Sequence, residues 1–175
     1  MYHGKNKTAI SSQQQIVDAL LMLMDEKPYA SISISELCKA ASVSRQTFYT
    51  LFNVRDNVIL YALHEPCCIE VCQKSHTFDD MIRYYAHYIV DNKDLLGMLV
   101  RNDITYIISE SFYDDLSQSP YLKERYTDQY RDYISRFVSG GLTGIITSYV
   151  NQGAKENEAT LYYIMKKLLI TGENY

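Results

Sequence analysis

Apolar residues recur at Ile16, Ala19, Leu20, Leu23 and Met24, the three-and-four rhythm of a helix with one buried face. Ser11 or Ser12 can cap that helix. Lys27-Pro28-Tyr29 ends it, because proline disfavours helix at the residue before it. The pattern then shortens. Ser33 followed by Glu36 has the spacing of a capping box, and it predicts a short helix over residues 36–40 with Ile34, Leu37 and Ala41 along its apolar side. Ala41-Ser42-Val43 supplies a tight turn, and Ser44 caps a second short helix over residues 45–52. Phe48 and Phe52 lie four apart in it and face inward with Val43, which leaves Arg45, Gln46, Thr47, Tyr49 and Thr50 on the outer faces.

Residues 53–57 read as a linker and a new helix start, with Asp56 placed to complement the helix dipole. The helix predicted over residues 56–64 has Val58, Ile59, Ala62 and Leu63 apolar, and Pro66 interrupts or kinks the segment beyond it. Thr77 opens a helix over residues 78–92, with Met81, Tyr84 or Tyr85, Tyr88 and Ile89 on one side. Two more are predicted over residues 94–100 and 103–116, and Ser117 to Pro120 form a turn cluster. The longest pattern covers residues 121–152, with Gly140, Gly141 and Gly144 in its middle. Each glycine weakens a helix by roughly 1 kcal/mol relative to alanine. Either another backbone comes close there, or the glycines mark a break. A last helix over residues 157–171 shows Leu161, Ile164, Met165, Leu168 and Leu169. About nine helices and no strand predict an all-α fold: a three-helix head in residues 1–55 and a helical bundle in residues 56–175.

Two short helices across a tight turn specify a helix-turn-helix, whose second helix offers hydrogen-bonding side chains to base edges in the major groove. The formal charge of −4 opposes this reading until the chain is divided. Residues 1–58 hold six Lys/Arg and five Asp/Glu, and residues 59–175 the other eleven and sixteen, so the acidic excess lies away from the head. Arg45 and Gln46 suit base edges, arginine favouring guanine and glutamine adenine. Thr47 suits a thymine methyl or a phosphate. Tyr49 and Thr50 are backbone-contact candidates, as are Ser33 and Ser44 through the free amides of the helix starts. The polar residues 1–8, with Lys5 and Lys7, are either a frayed terminus or an arm touching phosphate.

Ser33, Ile34, Leu37, Ala41, Val43, Ser44, Thr47, Phe48, Tyr49 and Phe52 resemble, in register, the DNA-binding signature of the TetR family of bacterial transcriptional regulators, over roughly residues 9–63. Ser42 departs from the family's usual glycine, and Thr50 and Leu51 replace commoner aromatic or basic residues. The resemblance implies that Arg55 stands where the family places a phosphate-contacting lysine. It also implies that the helix after it joins the head to a regulatory core. The run Phe137-Val138-Ser139-Gly140-Gly141-Leu142, with Ile145-Ile146 and Gly153, is similar to the C-terminal region of a Firmicute-type subgroup. It implies a homodimer formed by the last two helices, through Phe137, Gly141, Leu142, Ile145, Tyr149, Leu161, Met165 and Leu168. The expected function is that of a repressor on double-stranded operator DNA, released by a small-molecule effector. An activator, or a regulator answering to a protein partner, is the rival expectation.

Seventeen tyrosines and no tryptophan stand out. Tyr84, Tyr88, Tyr106, Tyr113 and Tyr126 are candidates for lining an effector pocket, since ring faces attract cations; the plain alternative is core or dimer surface. His64, Cys68, Cys72 and His76 follow at fourfold spacing with Cys67 beside them. Ligands strung along one helix cannot converge on one ion, so no metal site is expected, and thiol or metal sensing stands only as an alternative. No apolar run approaches a membrane span and no signal-peptide core follows Met1, so a cytoplasmic protein with reduced thiols is expected. No nucleophile–base pair or phosphate-cradling glycine loop is present, and neither enzymatic activity nor a cofactor is expected.

Overall fold

The computed structural model describes residues 4, 6–64 and 77–169. Among these the regular structure is helical throughout, ten α-helices and one 3-10 turn. The chain divides into two compact units, Met1–His64 and Glu65–Tyr175.

The first unit holds α1 (Lys7–Glu26), a 3-10 turn (Tyr29–Ser31), α2 (Ile34–Ala40), α3 (Arg45–Leu51) and α4 (Asp56–Leu63). α1 begins earlier than its apolar pattern, because the Asn6 side chain accepts a hydrogen bond from the Thr8 amide at 2.9 Å and caps the helix ahead of Ser11 and Ser12. Its stripe of Ile16, Val17, Ala19, Leu20, Leu23 and Met24 is buried against α2, α3 and α4. Leu37, Phe48, Phe52, Val58 and Ile59 complete an interior that water does not reach. The unit runs on to His64, where α4 buries Val58, Ile59 and Leu63 and packs on α1.

The second unit holds α5 (Phe78–Asp91), α6 (Lys93–Arg101), α7 (Thr105–Gln118), α8 (Pro120–Arg125), α9 (Asp128–Asn151) and α10 (Glu158–Leu169). α5 opens with a complete capping box: the Asp80 amide donates to Thr77 Oγ1, and the Thr77 amide donates to the Asp80 carboxylate. α9 packs along α7 and α10 along α5. The pattern over residues 121–152 is two helices, not one. Tyr126 and Thr127 both adopt extended backbone, and Asp128 in the next first turn favours a fresh start. Through Gly140, Gly141 and Gly144, by contrast, α9 runs unbroken. The expected irregularity at Pro66 lies outside the described residues, as do Lys5, Cys67, Cys68, Cys72 and His76.

Candidate nucleic-acid interface

Serine side chains at both helix starts set the reading head. Ser33 Oγ accepts from the Glu36 amide at 3.2 Å, and Ser44 Oγ from the Thr47 amide at 3.0 Å. Only half of the first capping box forms. The Glu36 carboxylate turns instead to Lys27 Nζ, whose hydrogen bond holds its pKa below the ordinary value. Between the two helices Ser42 sits at φ 54°, the left-handed region that side chains resist. That geometry explains why a glycine suits this position.

α3 is anchored from beneath. Phe48, Leu51 and Phe52 are buried, with the Phe48 ring 6.2 Å from Phe52 and edge-on to Tyr49 at 5.6 Å. Arg45, Gln46, Tyr49 and Thr50 are exposed, and Thr47 is half-buried beside the cap. Thr50 Oγ1 donates to the Gln46 main-chain carbonyl at 2.9 Å. Arg45 Nη2 donates to Ser35 Oγ on α2, so the guanidinium lies across the mouth of the turn. Ser35 escaped the sequence reading; its place two residues after the Ser33 cap puts it on the α2 surface nearest Arg45.

Arg55, implied by the resemblance to contact a phosphate, is half-buried at the start of α4. Its Nη1 donates to the carbonyls of Tyr29 (2.8 Å) and Ile32, and its guanidinium lies 4.6 Å from the Tyr29 ring centre. The Tyr29 hydroxyl in turn donates to Asp56 at 2.5 Å. Arg55, Tyr29 and Asp56 thus tie the 3-10 turn to the start of α4. Cys38 is enclosed within the head, and burial pushes its thiol pKa up, as expected of an inert small hydrophobe.

The five tyrosines expected to line a pocket differ in exposure. Tyr84 and Tyr88 join Tyr85 and Phe112 in an aromatic cluster between α5 and α7, with ring centres 5.1–6.1 Å apart. Tyr113 is half-buried. Its hydroxyl donates to Asp132 at 2.7 Å, which raises its pKa, and Arg136 lies 3.7 Å from its ring centre. Tyr106 and Tyr126 are exposed.

The dimerisation set also divides. Leu142, Tyr149, Leu161 and Met165 are buried within one copy, where α9 and α10 pack against the rest of their unit. Tyr149 and Leu161 also reach the wall of a groove between those two helices. Phe137 and Leu168 are exposed, and Gly141 and Ile145 half-buried. Gly141, Ile145 and Leu168 line an open groove of about 430 Å³ between α9 and α10, together with Gly144, Ser148 and Ile164.

No helix among the described residues is long and apolar enough to cross a membrane. Residues 16–61 match the family described as bacterial regulatory proteins, tetR family, and residues 76–171 match its transcriptional regulator C-terminal region. Comparison with curated protein sequences gives no match. Among solved structures the fold is similar to a TetR transcriptional regulator from Streptococcus agalactiae, at 19% identity and TM-score 0.62, over 94% of this chain and 97% of that one. It is also similar to the fatty acid degradation regulator FadR from Bacillus halodurans, at 16% identity and TM-score 0.57 over the whole of both chains. A third is the dihydroxyacetone kinase operon activator DhaS, at 19% identity and TM-score 0.53 over 91% and 94%. Because the C-terminal match alone spans more than half of the chain and the N-terminal one falls on the helix-turn-helix, the protein belongs to the TetR family of bacterial DNA-binding transcriptional regulators.

Proposed function

We propose that the protein is a homodimeric repressor acting in the cytoplasm, which leaves its operator when the second unit binds a small molecule. Residues 1–55 carry the DNA contact, and residues 56–175 carry dimerisation and effector response. The observation behind this reading is the division of α3, with Phe48 and Leu51 buried and Arg45, Gln46, Tyr49 and Thr50 exposed. A short helix anchored by its aromatic side and open at its first turns is suited to the major groove. Two copies about one helical turn of DNA apart read a pseudo-palindrome and combine their contacts. An effector acts only through differential affinity for the DNA-competent and released states.

A gel-shift titration with the DNA flanking the protein's own coding region tests the reading. The wild type should bind a discrete segment. Arg45→Ala should lose ~1–3 kcal/mol of specific affinity and relax one base preference. Equal affinity of the two proteins would remove Arg45 from the readout.

A second reading draws support from the differing exposure of the five tyrosines. Tyr106 and Tyr126 are exposed, while Tyr84 and Tyr88 stand in a packed aromatic cluster. Control by a protein partner, with activation in place of repression, then becomes the alternative; a regulator of similar fold is described as an operon activator. Failure of every small molecule in a release screen, with release by a purified protein, would favour it.

A further inference from the structure

The exposed side chains of α3 are held in different ways. Thr50 Oγ1 returns to the Gln46 main-chain carbonyl, and the Tyr49 ring stands edge-on to Phe48, both within the helix. Arg45 reaches another helix: its Nη2 donates to Ser35 Oγ on α2. The same guanidinium bears on Cys38, where burial pushes the thiol pKa up and the Arg45 charge opposes it. Ser35 and Cys38 are three apart and so lie on one side of α2. Two residues of that side therefore register the same cation.

The main chain at both ends of this contact is already set. The Val43 amide donates to the Cys38 carbonyl at 3.0 Å and the Ser42 amide to the Lys39 carbonyl at 3.2 Å, which joins the end of α2 to the turn. Leu37 and Phe48 are buried, one from each helix. What remains free is the arginine side chain, whose long stem has rotamer entropy to lose when it docks on a base. A contact made before binding removes part of that loss.

The contact also leaves the guanidinium able to read. Arginine can present two bidentate edges, Nε with Nη2 and Nη1 with Nη2, and each uses a different Nη2 proton. Ser35 occupies one of these protons, so one edge stays whole. Guanine offers O6 and N7 to such an edge.

We propose that Ser35 is a positioning residue for sequence readout, its hydroxyl oxygen holding the Arg45 guanidinium over the mouth of the turn so that the remaining edge meets guanine at one position of the half-site. This rests on the reading of Arg45 as a base contact. An untethered arginine at the first position of a helix can turn to neighbouring base pairs or to phosphate, and the tether removes those choices. Ser35 thus decides which base pair Arg45 reads. It carries no charge, so it leaves the salt dependence of binding unchanged.

The test uses the full chain and a library of duplex DNA of randomised sequence, from which the wild type selects its preferred site. Affinities for that site and for each single-base change in it are then measured for Ser35→Ala, Ser35→Thr, Arg45→Ala and the double alanine variant. Arg45→Ala identifies the position that Arg45 reads. Ser35→Ala should lower discrimination at that same position about 5- to 10-fold, with wild-type salt slope and wild-type affinity for non-specific DNA. The double variant should match Arg45→Ala alone, because Ser35 acts through Arg45. Ser35→Thr keeps the hydroxyl and should discriminate as the wild type does. Ser35 is exposed, so the alanine variant should fold and melt as the wild type does. Unchanged discrimination in Ser35→Ala, additive effects of the two alanine substitutions, or an equal loss on every sequence would overturn the positioning role and leave readout by Arg45 standing. An Arg45→Ala protein that discriminates at every position as the wild type does would overturn both.

Discussion

Ser42 holds a left-handed backbone at φ 54° in the turn that aims α3. For a residue with a Cβ this conformation costs roughly 1–2 kcal/mol relative to glycine. Glycine has its own cost, since the unfolded chain gains about 0.4–1 kcal/mol of conformational freedom. The first effect is larger, and Ser42→Gly should raise stability by about 0.5–1 kcal/mol in urea melts. A neutral or destabilising result would mean that the Ser42 side chain supplies compensation inside the turn. This position also shows how far residue-level reading reaches. Ser33 and Ser44 were identifiable as caps because a cap is decided by residues three apart. The fate of a long side chain is not local in that sense. Arg55 donates to the Tyr29 and Ile32 carbonyls, more than twenty residues away in sequence, and no local spacing announces that. Glu36 likewise left its capping box for Lys27.

At the scale of elements, α10 is held on α5 by two polar ties with opposite pH dependence. At one end His87 places Nδ1 3.0 Å from Glu158 and Nε2 3.0 Å from Asp91, an arrangement that satisfies both carboxylates only when both ring nitrogens donate. The hydrogen bond to Glu158, aided by the charges of Asp91 and Glu158, raises the His87 pKa above 6.5. Its stabilisation is fully present below pH 6.5 and is lost as pH rises through the folded-state value. At the other end Asp79 accepts from Lys166 Nζ and from the Tyr162 hydroxyl, both at 2.6 Å. Those bonds, Lys166 first, lower its pKa from 3.8 to about 2, so this stabilisation is present above pH 3.8 and is lost as pH falls through 2. Both groups are well solvated, and screening reduces each to ~0.5 kcal/mol. Urea melts should therefore show His87→Gln less stable than wild type at pH 5.5 and equal to it at pH 9, while Asp79→Asn remains less stable at both. A His87→Gln deficit that persists at pH 9 would assign His87 a packing role in place of an ionic one.

Helices declare themselves in the sequence wherever one face is buried by their own unit. That is why α3, α4, α5 and α10 fall within a residue or two of their expected starts. The break at Tyr126–Thr127 was missed because tyrosines at helical spacing run straight across it, and Tyr130, Tyr133 and Phe137 proved to be exposed and not part of the interior that sets the rhythm. The exposure of the candidate surface was legible on the same terms. Arg45 and Gln46 are exposed, as their position after a cap predicts, whereas the tyrosines were chosen by chemistry alone and no local spacing reveals how packing covers Tyr88 and leaves Tyr106 open.

For the molecule as a whole, charge limits how DNA is held. Of the six cations in residues 1–58, Lys5 lies outside the described residues, Lys27 is paired with Glu36 and Arg55 with backbone carbonyls, while Lys7, Lys39 and Arg45 are exposed. Two heads then present about six cations to the phosphates, and each neutralised phosphate contributes about −0.9 to the slope of log affinity against log salt concentration. The expected slope for the dimer is about −5, and for a single head about −3. Residues 59–175, with sixteen acidic and eleven basic side chains, supply no net attraction to steepen it. Titrations of a fluorescent operator fragment between roughly 50 and 300 mM salt measure the slope directly. A value near −10 would require phosphate contacts from cations beyond Lys7, Lys39 and Arg45, and a value near zero would remove backbone contact from the reading altogether. Because the one-head and two-head slopes differ by nearly twofold, the same titration also reports how many copies sit on the DNA, independently of any measurement of the free protein's oligomeric state.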